Sequence, residues 1–278
     1  MKNESLLSFM MPKNACNSHL HIIDPKFPND GKAAEQIGTI NTYMNIAGKL
    51  HLDRAVFVQA KPFGCDNNCL LDAIRKFGRS NSVGIAVVTN EATNAELKKL
   101  NDGGVKGIRF SVWNPNNAVV SFDDCLPLSK RVYDFGWNMQ LHMSAKQLAE
   151  RIEIIKQIPG KIVIDHMGRM DPNLGVNDPA LPVLLSLIDR GNVWVKISGP
   201  YLNSVKGFPW NDSDELARKI AGYAPERIVW GSDFPHVTEK VKPDETYLTN
   251  MISRWLPDEK TRQLALVTNP EELYGFGK

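Results

Sequence analysis

Two histidines stand two residues apart in Asn17-Ser18-His19-Leu20-His21, closing an apolar run near the N-terminus. Side chains along a strand alternate faces, so His19 and His21 present both imidazoles to one small volume. Such a pair can hold a metal ion or polarise a carbonyl. A lone His-X-His also arises by chance. What gives this one weight is a late partner, Val229-Trp230-Gly231-Ser232-Asp233-Phe234-Pro235-His236, a second apolar run that ends in a carboxylate. A carboxylate ending a strand beside imidazoles acts as a ligand or as a general base.

Bringing the first and last strands together requires a closed sheet. Apolar, β-branched runs fall at 15–22, 55–59, 82–88, 105–110, 138–142, 161–165, 192–198 and 227–231. Helical patterns alternate with them, at 70–77, 92–102, 125–135, 145–157, 179–190 and 213–221. Strands alternating with helices predict parallel pairing through right-handed crossovers, and eight such units predict a (β/α)8 TIM barrel. A barrel of this kind takes roughly 250 residues, and the chain has 278. It is therefore expected to form one domain over 1–278, with 1–13 as an N-terminal arm. The long irregular stretches 24–38, 111–124, 167–178 and 199–211 all follow strands, where this fold builds its pocket.

Chemistry-bearing residues gather at the predicted strand ends. These are His19 and His21; Gln59 and Lys61; Arg109, then Trp113 and Asn114; Gln140 and His142; Asp165, His166 and Arg169; Lys196, Ser198 and Tyr201; Asp233 and His236. Polar groups converging on one mouth mark a barrel active site. Architectural roles compete for several of them. Arg109 and Lys196 could be paired ions of the barrel, since buried charge needs a partner. His142 could be a rim residue and His236 a loop residue. Asp165 precedes His166, so alternation predicts that it faces away and closes a structural bond.

Composition narrows the class. Apolar content of 42% with 23% charged residues describes an ordinary globular chain, and a formal net charge of +2 gives no reason to expect nucleic acid or an anionic membrane. No apolar run nears the roughly 20 residues a membrane helix needs. The opening Met1-Lys2-Asn3-Glu4-Ser5-Leu6-Leu7 has a short apolar part interrupted by Glu4, unlike a secretory signal. The four cysteines, Cys16, Cys65, Cys69 and Cys125, form no paired spacing, which suits a reducing compartment and a cytoplasmic location.

At this point the motifs resemble a known family. His-X-His on strand one, histidines ending strands five and six, and Gly-Ser-Asp-Phe-Pro-His on strand eight are similar to the amidohydrolase superfamily. Val105-Lys106-Gly107-Ile108-Arg109-Phe110, Ile164-Asp165-His166-Met167-Gly168-Arg169 and Val195-Lys196-Ile197-Ser198-Gly199-Pro200-Tyr201 resemble its amidohydrolase-2 lactonase branch. So does the tail Thr268-Asn269-Pro270-Glu271-Glu272-Leu273-Tyr274. That branch contains 2-pyrone-4,6-dicarboxylate lactonases, 4-sulfomuconolactone hydrolases and D-galactarolactone isomerases. The resemblance implies acyl chemistry on a small carboxylated lactone. Asp233 would be the general base, with His19, His21 and His166 polarising the carbonyl. Arg109, Arg169, His142, Lys196, Tyr201, Gln59 and Lys61 would bind substrate. Hydrolysis by water and isomerisation through a substrate hydroxyl use the same residues. Binuclear members carry a carbamylated lysine on strand four; Arg109 stands there and cannot be carbamylated that way. No cofactor is then expected to be required, the alternative being one Zn²⁺ on His19, His21, His142 and Asp233. Competing classes are a metal-dependent decarboxylase, a non-catalytic sugar-acid binder and a structural or nucleic-acid-binding protein. No oligomeric state is implied.

Overall fold

The computed structural model describes residues 6–277. Eight parallel strands run in sequence order: β1 (Cys16–Leu20), β2 (Arg54–Val58), β3 (Ser82–Ala86), β4 (Val105–Ser111), β5 (Asn138–His142), β6 (Ile162–Ile164), β7 (Val193–Ile197) and β8 (Ile228–Trp230). The TIM barrel expected from the alternating pattern is present. The strands are shorter than predicted at most ends, because the chain leaves the ladder to form the loops that carry the polar groups.

Alternation sorts each strand into two layers. Phe57, Ile108, Phe110, Met139, Leu141, Val195 and Ile197 point outward into one large apolar cluster with the helices. Cys16, Val56, Val58, Val83, Ile85, Val163 and Val229 form a second cluster with Leu273, Tyr274 and Phe276 of the C-terminal segment. Burying a large apolar side chain contributes about 1.5–3 kcal/mol, so both layers stabilise the barrel strongly. Other inward positions are polar. Gln140 donates to Asn138 Oδ1 at 3.0 Å, and Lys196 donates to Gln140 Oε1 at 2.5 Å.

Closure joins β1 to the segment after β8. Asp233 N–H donates to the His19 carbonyl at 2.9 Å, and His21 N–H donates to the Phe234 carbonyl at 2.7 Å. Asn17 and Ser232 reinforce the seam, Nδ2 donating to Oγ at 2.8 Å while the Ser232 amide donates to Oδ1 at 2.9 Å. Gly231 permits this approach: a Cβ there would lie 2.5 Å from His19 Cβ. The seam that closes the barrel therefore also sets Asp233 beside the two histidines.

Several helices differ from the sequence expectation. The pattern at 145–157 breaks into Ala145–Glu150 and Ile152–Ile155. Helices Ile40–Leu50 and Glu245–Trp255 lie outside the predicted segments. Arm residues Leu6 and Ser8 bond to the latter helix, Asn250 Nδ2 donating to the Leu6 carbonyl at 3.1 Å and Asn250 Oδ1 accepting from the Ser8 amide at 2.7 Å; arm residues 1–5 lie outside the described residues. No described helix is long and apolar enough to cross a membrane.

Candidate active site

The C-terminal strand ends bring together His19, His21, Arg109, His142, Asp165, His166, Lys196, Tyr201 and Asp233. His19 Nε2 lies 3.3 Å from His21 Nε2, and Asp233 Oδ1 lies 3.5 and 3.7 Å from those two nitrogens. The His166 ring centroid is 4.7 Å from that of His19 and 5.2 Å from that of His142. His166 Nδ1 and Ser198 Oγ are 2.9 Å apart, and His142 Nδ1 and Ser111 Oγ 2.8 Å.

Asp165 corrects the expectation drawn from alternation. It is fully buried and points into the barrel, accepting from Arg109 Nε at 2.9 Å and lying 3.1 Å from Lys196 Nζ. Alternation fails because β6 ends at Ile164, and the chain then turns sharply. His166, Met167, Gly168 and Arg169 take φ values of 50°, 55°, 71° and 49°. Left-handed backbone at four successive residues, three of them not glycine, costs of order 1–3 kcal/mol at each of the three and clusters at functional sites. Here it turns both Asp165 and His166 inward and places Arg169 over the mouth. Asp233 and His236 are left-handed as well, at φ 66° and 57°.

Three of the expected substrate contacts have other surroundings in the structure. Lys196 is wholly buried, with its ammonium satisfied by His19 Nδ1 at 2.8 Å, Gln140 Oε1 and Asp165, so it is an internal cation. Gln59 donates its amide to the carbonyls of Gly64 at 3.1 Å and Asp66 at 2.8 Å, and so anchors the loop after β2. Lys61 is exposed on the turn Lys61–Phe63, where its charged neighbours are Lys32 and Asp30, outside the cluster. Tyr201 is at the site, but its hydroxyl donates to Asp233 Oδ2 at 2.7 Å.

Burial sets the protonation states. It holds His19, His142 and His166 well below the ordinary histidine range, helped by Lys196, Arg109 and His19 respectively. His21 is pushed down to about 3, by burial and then by Arg109. Burial would raise Asp165, but Lys196, His19 and Arg109 outweigh it and hold the carboxyl well below its usual value. Lys196 is lowered to about 8 by burial, against the pull of Asp165. Asp233 is raised, chiefly by burial, which makes it a stronger base than a surface carboxylate.

With neutral rings, the hydrogen bonds fix a consistent set of tautomers. The Lys196 ammonium donates to His19 Nδ1, leaving the proton of His19 on Nε2. His21 Nδ1 donates to the Val58 carbonyl at 2.9 Å, leaving its Nε2 lone pair to face His19.

The donor set also fits a metal ion. A tetrahedral Zn²⁺ with ligand bonds of about 2.0–2.1 Å needs donors about 3.4 Å apart, close to the 3.3–3.7 Å edges of the His19–His21–Asp233 triangle. His142 is not part of it. A second cluster, His19, Asp165 and His166, shares His19, but Arg109 and Lys196 already hold its carboxylate.

Arg169 stacks on Trp113 with 4.4 Å between the guanidinium carbon and the ring centroid. It makes no hydrogen bond or ion pair among the described residues, although it is half-buried and feels the charge of Asp233. The residue that sequence reasoning missed altogether is Glu245, whose Oε1 lies 2.7 Å from His236 Nε2. No motif marks it, because it begins a helix well beyond the last strand.

Comparison with known proteins identifies the family and the fold. The Amidohydrolase family model matches residues 17–276. A 4-sulfomuconolactone hydrolase of Rhizobium radiobacter is 31% identical over 97% of the chain and 92% of its own length. A D-galactarolactone isomerase of Agrobacterium fabrum is 28% identical over 95% and 91%. An apo crystal structure from Agrobacterium tumefaciens superposes with a TM-score of 0.88 at 28% identity, covering 97% of this chain and 98% of that one.

Proposed function

The chain belongs to the amidohydrolase family, and from that premise we propose that it acts on a small anionic lactone, with Asp233 as general base. The observation that carries the reading is the charge balance at the mouth. Three cations, Arg109, Lys196 and Arg169, face two carboxylates, Asp165 and Asp233, and Arg169 has no acceptor among the described residues. A half-buried guanidinium without an acceptor is costly until an anion arrives, and its planar fork suits a carboxylate or sulfonate. The lactone substrates named for the relatives of known activity support the same class.

Asp233 Oδ1 takes a proton from the nucleophile as it attacks the lactone carbonyl. The His19 Nε2–H, turning from the His21 Nε2 lone pair to the developing charge, and the neighbouring His166 stabilise the tetrahedral oxyanion, with Lys196 holding the His19 tautomer from behind. Collapse breaks the ring C–O bond, and the leaving oxygen recovers the proton from Asp233. Water as nucleophile gives the open acid; a hydroxyl of the substrate gives an isomeric lactone. We assign hydrolysis, with lactone isomerisation as the alternative outcome of the same machinery.

In this reading no ion is required, because the Lys196–His19–His21 hydrogen bonds are satisfied by protein groups alone. The spacing of the donor triangle supports a second reading, in which His19, His21 and Asp233 hold one divalent ion. Such an ion would supply Lewis-acid polarisation and a more acidic water.

The test is turnover of 2-pyrone-4,6-dicarboxylate, 4-sulfomuconolactone and D-galactarolactone, followed by proton NMR that separates open acids from isomerised lactones. The matching neutral lactones serve as controls. Turnover of anionic lactones in preference to neutral ones is expected; inactivity on all, or preference for the neutral ones, overturns the proposal. Chelation that abolishes turnover, with recovery on adding Zn²⁺, would select the second reading.

A further inference from the structure

Behind Asp233 runs a chain of hydrogen bonds that the reaction above does not use. Tyr201 Oη lies 2.7 Å from Asp233 Oδ2 and 3.0 Å from His236 Nδ1, and His236 Nε2 lies 2.7 Å from Glu245 Oε1. The far end is held firmly. His236 is buried; its amide donates to the Asp233 carbonyl at 2.8 Å, and its own carbonyl accepts from Lys242 Nζ at 2.8 Å. Glu245 opens the helix Glu245–Trp255. Trp210 packs against the Tyr201 ring, with centroids 5.8 Å apart.

Proton counting gives the chain a direction. An ionised Asp233, as a base must be, only accepts, so the single hydroxyl proton of Tyr201 must go to Oδ2. The Tyr201 oxygen then needs a donor on its other side, which requires the proton on His236 Nδ1. That leaves His236 Nε2 against a carboxylate oxygen, a contact stable only with a proton held between them, and Glu245 supplies that partner. Without Glu245, a neutral His236 is free to place its proton on Nε2. Its Nδ1 lone pair would then compete with Asp233 for the Tyr201 proton.

We propose that Glu245 and His236 are positioning residues that act through Tyr201, fixing Asp233 Oδ2 so that Oδ1 alone faces His19 and His21 as the base. The proposal rests on Asp233 being the general base. Groups that orient a reacting residue through another residue are worth about 10–100-fold, and the lower end is expected where the effect passes through two further side chains.

The experiment compares Glu245→Ala, Glu245→Gln, Tyr201→Phe and the Glu245→Ala/Tyr201→Phe pair on whichever of the three anionic lactones the wild type turns over. Melting temperatures confirm folding. Glu245→Ala should lower kcat about 10-fold with KM unchanged. Glu245→Gln should restore most of it, since its amide can donate to His236 Nε2 and keep the proton on Nδ1. In the Tyr201→Phe background, Glu245→Ala should cost nothing more, because the hydroxyl through which it acts is gone. Unchanged kcat in Glu245→Ala, an equal loss in both backgrounds, or a rise in KM alone would overturn the proposal. Asp233→Asn, assayed alongside, separates the two levels. If it keeps turnover, the functional reading fails and this one with it; if it is inactive while Glu245→Ala is fully active, only this one fails. A readout independent of turnover is the ¹⁵N spectrum of histidine-labelled protein. In the wild type His236 should carry a proton on Nδ1 and share a second with Glu245 at Nε2, and in Glu245→Ala the Nδ1 proton should be lost; identical spectra also overturn the proposal.

Discussion

Replacing Asp165 by asparagine keeps its shape and removes one negative charge from a fully buried site. Arg109 Nε at 2.9 Å and Lys196 Nζ at 3.1 Å are then left with no carboxylate between them. Removing one partner of a buried ion pair costs about 3–5 kcal/mol, because the remaining charge is desolvated and unpaired. An unfolding entropy of about 2.1 cal/mol/K per residue over 278 residues gives about 0.6 kcal/mol/K, so the melting temperature should fall by roughly 5–8 °C. The folded carboxyl lies below its usual range, so its contribution is complete above about pH 4. It is lost only as pH falls through the lowered value; without Asp165, however, Lys196 drops below its value of about 8 and sheds its proton more readily, so the deficit of the variant should shrink as pH rises from 5 to 7. Adding Lys196→Met removes one stranded cation, so the double variant should melt above the single one, even though Gln140 Oε1 loses its donor. Thermal melts by circular dichroism at pH 5, 6 and 7 test this. A single variant melting within about 2 °C of wild type, or a double variant less stable than the single, would refute the assignment of Asp165 as the counter-ion of both cations.

Asp233→Asn should lower kcat by about 10² or more with the fold intact; steady-state turnover of the purified variant decides, and near-normal activity removes Asp233 as the base. Arg169→Met should raise KM for an anionic lactone about 10–100-fold, the worth of a charge-assisted hydrogen bond, and leave a neutral lactone little affected; equal effects on both would exclude anion binding by Arg169. Turnover should fall on acidification as Asp233 protonates. Tyr201 lowers the Asp233 value, so Tyr201→Phe should move that acid limb to higher pH, and a limb that stays put in a kcat/KM profile would contradict the assignment. Elemental analysis of the purified chain should find at most one tightly bound ion per protein, since the second cluster has its carboxylate engaged by Arg109 and Lys196; two ions would refute this.

The barrel was legible because hydrophobic alternation and strand–helix succession report directly on burial. His19, His21 and Asp233 were legible for the same reason: each terminates an apolar run, and closing an eight-stranded sheet brings the first and last runs together. Asp165 was misread because alternation applies only while the chain remains a strand. The turn after Ile164 leaves the strand within one residue, and nothing in Asp165-His166-Met167-Gly168-Arg169 except one glycine signals left-handed backbone. Lys196 lies on β7 and is buried against Asp165, which is the paired-ion alternative the sequence left open. Strand order shows which face a residue takes, whereas its height along the barrel depends on the shear between neighbours, and that is set by tertiary pairing.

Glu245 marks a different boundary. Its part in the site comes from the placement of a helix N-terminus against the turn after β8, at His236. Helix placement is decided by packing, here with Leu248, Met251 and Ile252 buried in the main core. The sequence carries the amphipathic pattern that buries this helix, yet not the coordinate that brings its first residue to His236. The same helix carries Tyr247, whose ring stacks on Phe208 at 4.9 Å and on Trp210 at 6.0 Å, and Trp210 in turn packs on Tyr201. Two contacts from one helix, one polar and one aromatic, thus converge on the residue that bonds Asp233. A substitution that shifts this helix without touching its polar end, such as Ile252→Ala, leaves a cavity in the core and should cost about 2–5 kcal/mol. If helix placement governs the base, that variant should lower kcat as well as stability. A kcat equal to wild type would show that the turn after β8 positions Asp233 without help from the helix.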